Sequence, residues 1–209
     1  MILSLAAAFT LATQCAPSIA PETLLAVVQV ESGFEPLAIG VNGAPRMTAT
    51  ARTAADAAAK ASALIAQGRS VDLGLAQINS RNLGWLGLSI DEAFDACRNL
   101  AAAARVLQAG YLPSGDGDEQ PALLRALSRY NTGDAWRGFA NGYVAKVQEA
   151  AARFAPALRA DLTSPAPLDQ PLVTAAPPRQ AWDVFGEAAD GGGFLIRVAP
   201  TPLAAGAQS

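Results

Sequence analysis

Residues 24–36 read LLAVVQVESGFEP, and the reading of this stretch decides the fold. Leu24, Leu25, Val27, Val28 and Val30 form an apolar run. Pro21 suits the first turn of a helix and Gly33 suits its terminator, so the run predicts a helix from Pro21 to about Glu31. That leaves a carboxylate, Glu31, at the helix end. The bland account is a solvated end residue. The alternative is a tuned acid. Valines beside Glu31 keep water away, and desolvation raises a carboxyl pKa. The negative end of the helix dipole disfavours the anion further. A carboxyl kept protonated near neutral pH is what a general acid requires.

On both sides of this helix the chain reads as further helices separated by turns. The N-terminal MILSLAAAFTLATQCAPSIA has an apolar core but no basic residue before it, so residues 1–16 read as a first helix or as a signal-like segment. Its apolar stretch is too short before Gln14 and Pro17 to cross a membrane. Pro36, Gly40, Gly43 and Pro45 mark a loop or short hairpin. TARTAADAAAKASALIAQGRS is a good helix former ending near Gly68. VDLGLAQINSRNLGWLGL reads as a packed loop around a short helix. The next helix is expected to be capped by Asp91, with Phe94, Cys97, Leu100, Ala104 and Leu107 on one face. PALLRALSRYN predicts another, stopped by Gly133, and a last one runs from about Asn141 to Phe154. Residues 1–158 are therefore expected to form one mainly α domain. The proline-rich residues 159–209 read as a tail or linker, with AWDVFG and GGFLIRVAP as short docking segments at most.

Composition narrows the chemistry. The 209 residues contain no histidine, which removes Ser-His-Asp and Cys-His catalysis and most zinc sites. No metal site or cofactor is expected, and catalysis falls first to carboxylates. The net charge of −3 is spread along the chain, without the basic patch that nucleic acid needs. Cys15 and Cys97 match no metal or redox spacing. On the residues alone they are equally free thiols or a long-range disulfide.

Three short motifs place polar groups where packing alone would not want them: Glu31-Ser32, then Gly74-Leu75-Ala76-Gln77-Ile78-Asn79, then Arg129-Tyr130-Asn131-Thr132-Gly133. Each has a dull explanation by itself. Glu31 can be solvated, Gln77 and Asn79 can satisfy loop backbone, and Tyr130 can be a core residue with its hydroxyl in water. As an ordered set they resemble the lytic transglycosylases of the goose-type lysozyme-like fold, over about residues 14–150. The stretches CAPSIAPETLLAVVQVESGF, DLGLAQINSRNLGWLGL, AFDACRNL and GFANGYVAKV sharpen that resemblance towards the peptidoglycan-cleaving component of type IV secretion systems. One departure is visible: Arg129 stands where the family has alanine or another small residue, and it alters a subsite wall.

The resemblance implies a lysozyme-like domain that cleaves the MurNAc-β-1,4-GlcNAc bond and leaves a 1,6-anhydromuramoyl end. It implies Glu31 as acid and base, with Tyr130 holding Glu31 through its hydroxyl. Gln77 and Asn79 would bind sugar groups, while Ser32 and Asn131 would complete the substrate site and fix its geometry. It also implies a Cys15–Cys97 disulfide and hence a periplasmic location, residues 1–16 as first helix, peptidoglycan strands and other secretion subunits as partners, and no direct contact with nucleic acid. Asp72, Glu35 and Asp134 lie near the motifs but read as cap, turn or surface residues, which leaves a single-acid site. A hydrolytic muramidase or chitinase of the same fold, and a non-catalytic wall-binding scaffold, are the rival readings.

Overall fold

The computed structural model describes residues 2–43 and 47–163. The AWDVFG and GGFLIRVAP segments and most of the proline-rich tail lie outside the described residues. Helix α1 (Leu5–Cys15) begins at Ser4, whose hydroxyl accepts from the Ala7 N–H at 3.2 Å. It buries Ala8 and Ala12 against the rest of the core. Leu5–Cys15 is thus a helix packed on the core of the domain. Cys15 at its end is bonded to Cys97, with Cα atoms 5.3 Å apart.

Helix α2 (Pro21–Glu31) is the central element. Thr23, Leu24, Leu25, Ala26, Val27 and Val28 are all buried, an all-round burial that only an interior helix shows. At about 1.5–3 kcal/mol for each large apolar side chain removed from water, this run fixes the position of everything attached to it. It packs mainly against α8 (Tyr143–Thr163), the helix that ends the described chain and runs past the expected end at Phe154.

Between α2 and the later helices lies a four-stranded antiparallel sheet in the order β2-β1-β3-β4. Its strands are β1 (Ile39–Val41), β2 (Met47–Ala49), β3 (Val71–Leu73) and β4 (Ile78–Asn79), with α3 (Ala54–Ala66) crossing between β2 and β3. The hairpin expected around residues 36–48 is β1 and β2. Ile39 pairs with Leu73 and Leu73 with Ile78, and all three are buried. Strand alternation then puts the intervening row Gly40, Asp72 and Asn79, paired in register, on the opposite face. That face borders the cleft described below.

A short α4 (Leu83–Leu86) leads to α5 (Ala96–Gly110). The cap of α5 is Asp95, whose carboxylate accepts from the Arg98 N–H at 2.8 Å, and not Asp91 as expected. Phe94 falls in a 3-10 turn before the helix rather than on its face. Helix α6 (Glu119–Thr132) ends at Gly133 in the left-handed region, as its sequence predicts. The brief α7 (Arg137–Ala140) is pressed against α6 at Gly138. A Cβ there would lie 2.6 Å from Ser128 Cα, so only glycine fits.

Candidate active site

Glu31 is the last residue of α2, half-buried at the floor of a cleft of about 850 Å³. One side of the cleft is the sheet, through Asp72, Gln77 and Asn79; the other is formed by α5 and α6, through Val106, Arg129 and Tyr130. Immediately after Glu31 the helix is closed by Ser32, whose N–H returns to the Val28 carbonyl. Its hydroxyl donates to the Leu75 carbonyl at 2.5 Å. Ser32 therefore ties the acid-bearing helix to the Gly74–Asn79 turn. It is not among the residues that line the cleft.

The hydroxyl that donates to Glu31 is that of Tyr143, at 2.6 Å from Oε1. Tyr143 is buried at the first position of α8. Desolvation, then the negative charge of Glu31, push its hydroxyl well above the ordinary range of a phenol. It stays a neutral donor throughout the working range of a cell. Tyr130 was expected in this role. Its hydroxyl instead donates to the Ala76 carbonyl at 2.7 Å, in the turn that carries Gln77. Burial first, then the charges of Glu31 and Asp72, raise it well above its ordinary value. Both tyrosines thus sit within the field of the acid, but with different attachments.

Asn131 lines the cleft and also acts on the start of α8. Its side-chain oxygen accepts from the Asn141 amide at 2.9 Å, and the Asn141 oxygen accepts from the Tyr143 backbone N–H at 3.0 Å. This relay sets the start of α8 and hence the tyrosine that meets Glu31.

The Gly74–Asn79 turn is suspended from the core. Gly74 has φ +71°, and a Cβ on it would lie 2.6 Å from the Asn99 amide nitrogen. Asn99 is fully buried; its Nδ2 donates to the Leu73 and Ala93 carbonyls at 2.9 and 2.7 Å, and its Oδ1 accepts from the Ala76 N–H at 2.7 Å. Gln77 is held at φ 51°, a left-handed conformation that a non-glycine residue adopts only when its surroundings impose it. Its amide nitrogen donates to the Gly74 and Ala38 carbonyls at 2.9 and 3.2 Å. The amide group expected to bind sugar is thus partly spent on shaping the turn, while the residue lines the cleft.

Asp72 is the main surprise. From sequence it reads as a cap, turn or surface residue. It lies in the cleft with Glu31, and each of its oxygens accepts from an asparagine: Oδ1 from Asn79 at 2.6 Å and Oδ2 from Asn42 at 2.8 Å. The cleft thus holds two side-chain carboxyl groups, Glu31 bonded to the Tyr143 hydroxyl and Asp72 to two asparagine amides. Asn79, expected to bind sugar, has both Nδ2 and Oδ1 engaged within the protein, with Asp72, Ser70 and Arg81. Among the described residues no group of three or more acidic or cysteine side chains gathers to hold a metal ion.

Residues 9–152 match the model of the transglycosylase SLT domain. The chain belongs to that family. It is 42% identical over 185 residues to protein virB1 of Agrobacterium fabrum, covering 88% of this chain and 72% of the relative. It is 42% identical over 132 residues to the type IV secretion system protein virB1 of Brucella abortus biovar 1, covering 62% of this chain and 55% of that relative. No solved structure matches.

For this SLT domain, Tyr143 and Asn99 are not singled out by the sequence, and Asp72 is named there only as a cap, turn or surface residue. Tyr143 stands in GFANGYVAKV, where a tyrosine directly after Gly142 at a helix start was a signal for a side chain fixed at an end rather than in a stripe. Asn99 is the polar residue on an otherwise apolar helical face, a position that demands partners. Asp72 alternates with Val71 and Leu73, the period-two pattern of a strand with one acid facing out.

Proposed function

We propose that the protein is a peptidoglycan lytic transglycosylase that opens the cell wall locally for a type IV secretion or conjugation apparatus, working in the periplasm. The observation that carries the chemistry is the Tyr143 hydroxyl at 2.6 Å from Glu31, whose carboxyl lines a cleft of about 850 Å³. Family membership and the virB1 relatives support the substrate and the setting.

Glu31 gives its proton to the glycosidic oxygen between MurNAc and GlcNAc, and the C1–O bond breaks. The N-acetyl group of the muramoyl sugar supports the cationic carbon, and the carboxylate of Asp72 lies in the same cleft to stabilise positive charge. Glu31, now a carboxylate held by Tyr143, accepts the proton of the C6 hydroxyl. The C6 oxygen bonds to C1 and closes the 1,6-anhydro ring. Water is not consumed, and Glu31 ends protonated. Tyr143 and Tyr130 serve as positioning residues, Tyr143 on the acid and Tyr130 on the turn that carries Gln77. Residues 1–158 would form the enzymatic unit and residues 159–209 a linker or tail. Other secretion subunits would be its protein partners.

Asp72 also favours a second reading. Two carboxyl groups flanking one bond are the equipment of a hydrolase. Mass spectrometry of peptidoglycan digested by wild type and by Glu31→Gln separates them. Anhydro-ended muropeptides from wild type and none from the variant are expected. Reducing ends would establish hydrolysis, and full wall-lysing activity in Glu31→Gln would overturn the assignment of the acid.

A further inference from the structure

Arg129 takes no part in the chemistry above, although it lies in the cleft directly before Tyr130. One of its N–H groups donates to the Gly110 carbonyl at 2.9 Å, which anchors the side chain at the end of α5. A guanidinium carries further donors in a rigid fork that matches a carboxylate. Within the described residues Arg129 forms no ion pair; those present are Lys60–Asp56, Arg98–Glu92 and Arg125–Asp118. Asp134 feels its charge but makes no ion pair with it, and the Asp134 Oδ1 accepts from the backbone N–H groups of Trp136 and Arg137 at 2.8 and 2.9 Å. The cleft's own carboxylates are engaged too, Asp72 by two asparagines and Glu31 by Tyr143. A half-buried, anchored guanidinium is thus presented to whatever enters. The sugar rings of a glycan strand are uncharged, and the anionic groups of peptidoglycan are concentrated on its peptide stems.

We propose that Arg129 is a specificity-determining residue that pairs with a carboxylate of the peptide stem, so that the cleft selects stem-bearing, unamidated strands. This rests on the lytic reading above. Pairing holds the substrate in both ground and transition states, so its signature is in KM more than in kcat.

The test compares kcat/KM on three soluble substrates: untreated peptidoglycan fragments, fragments whose stem carboxylates have been converted to amides, and strands stripped of stems by an amidase. Wild type is expected to lose about ten-fold or more on amidation, chiefly through KM. Arg129→Ala is expected to be slow on untreated fragments and indifferent to amidation, with Arg129→Lys restoring part of the discrimination. Equal cleavage of untreated and amidated fragments by wild type would overturn the proposal while leaving the lytic reading intact. An equal loss by Arg129→Ala on both would mean that Arg129 only holds Gly110, and would overturn it too. A defect undiminished on stripped strands would move the pairing to the lactyl carboxylate and refute the stem assignment. Wild type cutting none of the three would sink the lytic reading and this one together.

Discussion

Replacing Tyr143 by phenylalanine removes one oxygen atom and keeps the ring, so the packing of α8 on α2 should survive. What is lost is a hydroxyl donor 2.6 Å from Glu31 Oε1. A hydrogen bond to a charged acceptor contributes about 1.5–3 kcal/mol. The bond strengthens as Glu31 gives up its proton, so the loss falls on the transition state more than on the resting acid. At about 1.4 kcal/mol per decade of rate, kcat should drop about ten- to one-hundred-fold, with KM little changed. The sign of the pH effect is also determined. A donor to the carboxylate favours the ionised form, so its removal keeps Glu31 protonated to higher pH, and the alkaline limb of the activity profile moves up. The assay is release of anhydromuropeptides from purified sacculi across pH, with thermal unfolding to confirm the fold. A Tyr143→Phe enzyme within two-fold of wild type, with an unmoved profile and an unchanged Tm, would refute the assignment of Tyr143 to the acid.

Two further outcomes follow from covalent and electrostatic features. Reducing the Cys15–Cys97 bond, or replacing both cysteines by serine, frees a separation of 82 residues in the unfolded chain. On the chain-entropy model this costs about 4 kcal/mol, or roughly 8–16 °C in Tm for a chain of this size; an unchanged calorimetric Tm would contradict it. Tyr130 and Tyr143 both have hydroxyls pushed well above the ordinary value by burial and by Glu31. Above pH of about 10 the unfolded chain releases these protons first, so the stabilisation present below that pH is lost as pH rises. Urea midpoints measured from pH 9 upwards should fall less steeply for a Tyr130→Phe, Tyr143→Phe double variant than for wild type, and parallel curves would count against this account.

The helices and the position of the acid were legible because they depend on neighbours in sequence. Pro21, the apolar run and Gly33 bracket α2 within a few residues of one another, and the hairpin residues announce themselves by glycine and proline. Glu31 was legible for the same reason. Its tyrosine was not, because Tyr130 and Tyr143 are both tyrosines near helix ends on the far side of the chain. Only the packing of α8 against α2 decides which hydroxyl reaches the carboxylate. Asp72 was set aside because its meaning lies in sheet register: opposite Asn79 and next to Gly40 it faces the cleft, whereas a one-residue slip would bury it. The cap of α5 was misread for a more local reason. Asp91 and Asp95 are both able to cap, and the intervening 3-10 turn consumes the first.

The bond between Tyr143 and Glu31 spans 112 positions of the chain. Glu31 lies on an early helix and its hydroxyl partner on the last described one, joined only when α8 has docked. A chain still folding, or lacking that helix, carries the acid but not the donor that steadies it. Full activity is thereby coupled to completion of the fold, because the donor that steadies Glu31 arrives only with α8. For an enzyme directed at the polymer that keeps a cell from bursting, that timing is a safeguard written into chain connectivity.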